Sequence, residues 1–195
     1  SIELFPIIRP RGGDFFYTAY EFDIMKTDIE ICKQLGCDGI VTGILKSDGS
    51  VDNERMKVLA NLAYPMSVTF HRAFDRTNDA FKALEDIIEI GCERILTSGQ
   101  KPTAIEGIDL IRELVNKAAN RIIIMPGSGI HSKNIKEIAL KSKATEFHSS
   151  ARIFVNSQME FHPSKMNDDL KNVLLNEIEV KAMIQELSEL EILTD

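Results

Sequence analysis

A chain of 195 residues, 44% hydrophobic and 27% charged, is long enough to fill one sizeable core, and a single globular domain over 1–195 is expected. Its net charge of -7 argues against nucleic acid or an anionic membrane surface as the main partner. No apolar run approaches the roughly 18 residues of a spanning helix and no signal-peptide pattern opens the chain. With three cysteines, Cys32, Cys37 and Cys92, the expected setting is a reducing, cytoplasmic one.

The chain begins with a short apolar run, Glu3 to Ile8, which reads as a strand and stops at Arg9-Pro10-Arg11-Gly12-Gly13-Asp14-Phe15. Over 21–35 the residues Phe22, Met25, Ile29 and Cys32 recur at helical spacing, and Gly36 ends the pattern. Gly39 to Gly43 reads as the next strand. Asp48-Gly49 is a turn, Asp52 a helix cap, and Met56, Leu59, Leu62 and Ala63 an apolar helical face. A strand from Met66 to Phe70 then delivers His71-Arg72-Ala73-Phe74-Asp75 at its carboxyl end.

The same grammar continues. Asn78 or Asp79 caps a helix that stops at Gly91, and a strand from Glu93 to Thr97 opens into Ser98-Gly99-Gln100. A helix over 102–119 follows. Two short strands, 122–125 and 145–148, flank a helix over 132–143 and run into Pro126-Gly127-Ser128-Gly129-Ile130 and Ser149-Ser150-Ala151-Arg152. Beyond a polar stretch containing Pro163, a long amphipathic helix is expected from about Asn167, carrying Leu170, Val173, Leu174, Ile178, Met183, Ile184 and Leu187.

Strands alternating with helices through short connections imply parallel strands and right-handed crossovers. The spacing predicts six β/α units over 1–155, then a polar loop and helix over 156–195. An open doubly wound sheet would gather its polar residues at one switch point, whereas here they follow nearly every strand. The reading is therefore a TIM (β/α)8-type barrel, with two further units placed before Ser1 to complete it. The strands ending at Met125 and His148 then become numbers seven and eight, whose loops commonly clamp a phosphate, the second opening a short helix.

Candidate site residues follow from that placement. His71 can act as a base near neutral pH with Asp75 orienting it, and Glu146 shares a strand face with His148. As candidate catalytic groups we take His71, Asp75 and Glu146, with Arg9 or Arg11 expected to pair with the glutamate, since an unpaired interior carboxylate is costly. Candidate anion-binding groups are Arg9, Arg11, Arg72, Ser98, Gly127, Ser128, Gly129, His148 and Ser150. For each group a plainer reading stands beside this one: ion pairs that hold loops and fix register. The three cysteines fall in connections entering strands or on an apolar helical face, and read as small core residues. His71, His148, Glu146 and Asp75 could instead make a nitrogen and oxygen site for a harder divalent ion, but no tight ligand spacing marks one and no residue set is assigned as metal ligands.

Five ordered motifs resemble the CutC family, described as copper homeostasis proteins. They are Ile8-Arg9-Pro10-Arg11-Gly12-Gly13-Asp14-Phe15, Thr69-Phe70-His71-Arg72-Ala73-Phe74-Asp75, Arg94-Ile95-Leu96-Thr97-Ser98-Gly99, Met125-Pro126-Gly127-Ser128-Gly129-Ile130 and Glu146-Phe147-His148-Ser149-Ser150-Ala151. The resemblance implies a β/α barrel, a cytoplasmic location and copper as the bound or handled ion. It also implies two earlier β/α units with an acidic residue and a cysteine at the mouth. Those positions have no counterpart here, so a copper role that uses them is carried onto no residue. Three readings thus stand: copper handling, from the resemblance; an enzyme acting on a small anionic, phosphorylated metabolite, from the site residues; and a scaffold without chemistry, whose mouth residues serve only barrel packing. Homo-oligomers are expected, because an incomplete barrel exposes strand edges.

Overall fold

The computed structural model describes residues 2–161, 165 and 170–192. Four strands form a parallel sheet in chain order: β1 (Gly39–Thr42), β2 (Ser67–Phe70), β3 (Arg94–Thr97) and β4 (Ile123–Pro126). Their register is set by pairs such as Ile40 with Val68, Phe70 with Ile95 and Leu96 with Met125. Nearly every residue of β1, β2 and β3 is buried, the pattern of a parallel sheet covered on both faces. One further parallel bridge lies on each side, Ile7 with Val41 and Gly127 with His148. The order never reverses, as it would in a doubly wound sheet. The six expected strand positions are therefore four strands and two single-bridge segments, and no closed barrel is formed by the described residues.

Helices α1 (Ala19–Gln34), α2 (Asn53–Ala63), α3 (Ala80–Ile90), α4 (Ile108–Ala118) and α5 (Ser132–Ser142) alternate with these strands. Their ends are chemically specified. Thr18 and Glu21 make a reciprocal capping box on α1, while Asp79 accepts the amides of Phe81 and Lys82 at the start of α3. Each helix turns an apolar face inward: Met25, Ile29 and Cys32 on α1, Ile111, Leu114 and Ala118 on α4. The fourth helix starts at Ile108 rather than at 102. The chain first turns so that Gly107 lies against Gly99, where a side-chain carbon on Gly99 would sit 2.2 Å from the Gly107 carbonyl oxygen.

The carboxyl-terminal part departs most from the sequence reading. Arg152 does not lead into a helix or a featureless loop. It opens β5 (Arg152–Val155), which pairs antiparallel with β6 (Asn172–Leu175), and only then does α6 (Glu177–Ile192) begin. Pro163 and Asn167 lie outside the described residues. Both strands of this ribbon are exposed along their length. Helix α6 packs on α5, with Met183 buried and Lys136 paired to Glu189 at 2.9 Å.

Candidate functional site

The loops after Ile8, β2, β3 and β4 all leave the carboxyl-terminal edge of the sheet, so the parallel order alone gathers Arg9, His71, Arg72, Ser98 and Ser128 on one side. At the centre is a carboxylate. Asp75 lies in the 3-10 turn after β2, and its side chain is 5% exposed. It accepts from Arg72 Nε at 2.7 Å, Thr97 Oγ1 at 2.5 Å, Ser98 N at 3.0 Å and Gln100 N at 3.1 Å. Its lone pairs are used by the protein. Asp75 therefore orients neighbours and has no capacity left for a substrate proton.

What it orients is Arg72. The guanidinium donates through Nε to Asp75 and through Nη2 to Ser98 Oγ at 2.7 Å, which fixes its plane. Among the described residues, Arg72 is the one that lines both neighbouring cavities. One, of about 740 Å³, is walled by Ser128, Gly129, His148, Ser150 and Arg152; the other, of about 540 Å³, by Arg9, Phe15, Asp75, Gln100 and Lys101. Of the candidates read from sequence, Arg72, Ser128, Gly129, His148 and Ser150 thus share one cavity, and Arg9 and Asp75 share the other. Gly127 lies behind the wall, where a side chain would strike Leu96.

His71 is 4% exposed, its ring 4.9 Å from that of Phe15, which lines the second cavity. Nδ1 accepts the Ala73 amide at 3.2 Å, which assigns the ring proton to Nε2. Burial, then the nearby Arg9 charge, pushes its pKa down to about 4. At neutral pH His71 is therefore uncharged, with Nδ1 engaged by the Ala73 amide. Gly43 makes room for it, since a side-chain carbon there would come within 2.7 Å of Nδ1. Among the described residues, three buried polar atoms in this region find no hydrogen-bond partner: His71 Nε2, Arg9 Nε and Tyr17 Oη. Arg9 stacks on Phe15 at 4.7 Å and donates to the Gly13 carbonyl.

Arg11 and Glu146 are not part of these cavities. Arg11 donates to Glu21 and Asp14 and to three carbonyls of its own loop, so it builds the loop. Glu146 takes neither arginine as partner. It binds Arg94 at 2.6 and 3.3 Å, and Arg94 is the first residue of β3, at the strand-entry side. Arg94 thus stands where Arg9 or Arg11 was expected.

The expected clamp is also rearranged. Ser128 Oγ is bound to the Pro102 carbonyl, and Ser149 Oγ to that of Ile130, while the loop after His148 opens a ribbon and not a helix. The helix end at the cavity belongs to α5, and a carboxylate already sits on it: Glu179 accepts Ser132 N at 2.5 Å and Ser132 Oγ at 3.1 Å. That contact holds the Glu179 carboxyl below its usual range. Cations around the cavity are Arg72, Lys133 and Arg152. His148 is pushed down by burial and by Arg152.

Residues 1–153 match the family model described as CutC family. This chain belongs to the CutC family. It is 48% identical over 191 residues to a family protein CutC of Parabacteroides distasonis, covering 94% of this chain and 79% of that protein. The mouse and human copper homeostasis protein cutC homologs are 48% and 47% identical, with 85% of this chain matched to 61% of each. The chain thus spans about three fifths of the length of those mammalian relatives. Among solved structures, the putative copper homeostasis protein CutC from Streptococcus agalactiae superposes with a TM-score of 0.70 at 36% identity, covering 73% of this chain and 70% of that one.

In this CutC chain the cysteines are buried, as their sequence positions imply. Burial pushes the Cys92 thiol up to about 12 and also raises Cys32. Among the described residues, no group of three or more His, Cys, Asp or Glu side chains is placed to hold a metal ion. No helix of the described residues is long and apolar enough to cross a membrane.

Sequence reasoning missed Tyr17, Gln100, Lys133, Arg152 and Glu179. Arg152 directly follows a recognised motif and could have been read as a further cation. Glu179 carries no local signal, because it reaches the site from a helix 47 residues after its partner.

Proposed function

We propose that this CutC chain takes part in copper homeostasis in the cytoplasm, the role in the names of its mouse and human relatives, and that its sheet edge binds a small anionic molecule. Six β/α positions of a barrel frame that site in this reading. Supporting it is the Arg72 guanidinium, held by Asp75 and Ser98 between two cavities and close to partnerless buried N–H groups. A planar, immobilised guanidinium suits a carboxylate or phosphate. The neutral His71 Nε2–H adds a donor for a ligand oxygen. Recognition is favoured over acid–base chemistry: Asp75 is saturated, Glu146 is paired elsewhere and His71 has no lone pair free. Association of copies belongs to the same reading, since the ribbon exposes Phe154, Leu174 and Leu175.

Calorimetric titration with inorganic phosphate and with a phosphorylated three-carbon acid tests the anion site. Saturable binding that Arg72→Ala abolishes and Glu146→Gln leaves intact is expected. Equal affinity of the Arg72→Ala and wild-type chains would overturn the assignment.

A further inference from the structure

The chain carries a net charge of -7, yet the two cavities that meet at Arg72 are walled mainly by cations. In the smaller one the charged lining is Arg9, Arg72, Arg76 and Lys101 against a single carboxylate, Asp75. In the larger one it is Arg72, Lys133 and Arg152 against Glu179. Neither carboxylate balances the remaining cations. Asp75 is taken up by Arg72, Thr97 and the amides after β3, and Glu179 by the first residue of α5. Among the described residues, Arg76, Lys101, Lys133 and Arg152 form no ion pair with a carboxylate.

The local fold gathers these charges. Arg72 and Arg76 are the two ends of the 3-10 turn after β2, and the Gln100 amide donates to Asp75 within that turn. That bond folds the loop after β3 back over the turn and brings Lys101 with it. The next bond joins the two cavities: Ser128 Oγ, on the wall of the larger, donates to the carbonyl of Pro102, on the wall of the smaller, at 2.8 Å. Arg72 stands at the border. Its Nε and Nη2 are held by Asp75 and Ser98, while Nη1 meets no acceptor among the described residues.

We infer that the two cavities take one molecule with a phosphoryl group at each end and a short carbon chain that runs past Arg72. The inference rests on the anion reading above and names its ligand class. Clefts lined by one sign of charge concentrate ligands of the other, and here two such clefts share a wall. A single phosphate would answer the cations on one side and leave those on the other unbalanced. A phosphoryl group carries close to two negative charges at neutral pH, so it suits a set of three or four cations better than a carboxylate does. Volumes of about 740 and 540 Å³ are also those of pockets that enclose a small molecule, with room for a carbon chain besides its charged ends.

The experiment is calorimetric titration of the full chain with inorganic phosphate, with butanediol monophosphate, and with the bisphosphates of ethanediol, butanediol and hexanediol. At least one bisphosphate is expected to bind as one equivalent per chain and about 100-fold more tightly than the monophosphate, because its second phosphoryl group meets the neighbouring cavity at high effective concentration. The gain should differ with chain length, since the linker must match the span past Arg72. Two double variants locate the ends: Arg76→Gln with Lys101→Gln for the smaller cavity, and Lys133→Gln with Arg152→Gln for the larger. All four side chains are exposed, so both variants keep the fold. Each should bring bisphosphate affinity down about 100-fold, to that of the monophosphate. Phosphate and monophosphate binding with no gain for any bisphosphate would overturn the two-ended ligand and leave the anion reading standing; a chain that binds none of the probes would overturn both. A double variant that keeps the wild-type bisphosphate affinity would also overturn the two-ended ligand.

Discussion

The Thr97 hydroxyl donates to the Asp75 carboxylate across 2.5 Å and so ties the turn after β2 to the end of β3. Removing that carboxylate leaves the Ser98 and Gln100 amides and the Arg72 guanidinium without their acceptor. Buried donors left unpaired cost roughly 1–3 kcal/mol each, partly relieved by water. Asp75→Ala is expected to lower unfolding stability by about 3 kcal/mol and to weaken anion binding with it. Urea unfolding read by fluorescence and circular dichroism measures the first. A variant within about 0.5 kcal/mol of wild type, the range of ordinary surface substitutions, would mean that Asp75 does not hold this turn together.

His71 gives the chain a pH dependence of known sign. Its folded pKa, about 4, lies below the ordinary histidine value of 6.5, so between those values the unfolded chain binds a proton that the folded chain refuses. Stability is full above pH 6.5 and falls as the pH drops toward 4. The shift corresponds to about 3 kcal/mol at roughly 1.4 kcal/mol per unit. His71→Gln, which keeps a side-chain donor without titrating, should flatten that part of the stability profile. A profile unchanged by the substitution assigns the acid sensitivity to other groups.

Much of the frame was legible because its signals are local. Asp79 and Gly91 bound α3 in sequence as they do in space, and the Gly36-Cys37 and Gly91-Cys92 connections mark the entries to β1 and β3. The site was legible in part, because loops after parallel strands share one edge and Arg9, Arg72 and Ser128 could be placed there. What failed depends on partners distant in sequence. Val173 and Leu174 fit a helical period, but they belong to a strand whose partners are Phe154 and Ile153. Glu146 needed a cation, and the one that reaches it is 52 residues earlier.

Arg94 and Glu146 form the second test of placement. Their side chains are 22% and 36% exposed, so solvent screens the pair and its contribution to stability is about 1 kcal/mol or less. Glu146→Gln should therefore unfold at nearly the same urea concentration as wild type and bind phosphate equally well. A large loss of binding would return Glu146 to the mouth, against the partner it has here.

Glu179 and Ser132 supply the last prediction. The Glu179 carboxylate occupies the amino end of α5, where backbone amides favour an anion, and it does so on the wall of the larger cavity. It is a resident competitor for any anion entering from solvent, and also one of the polar contacts, with Lys136–Glu189, that dock α6 on α5. Glu179→Gln keeps the size and a weaker acceptor while removing the charge, so the cap loses about 1 kcal/mol. Phosphate affinity should rise at the same time, because the like charge beside Arg72, Lys133 and Arg152 is gone. Calorimetry on the variant at two salt concentrations checks both the direction and its electrostatic origin, since the gain should shrink as screening increases. Unchanged affinity at low salt would show that an incoming anion does not meet the end of α5.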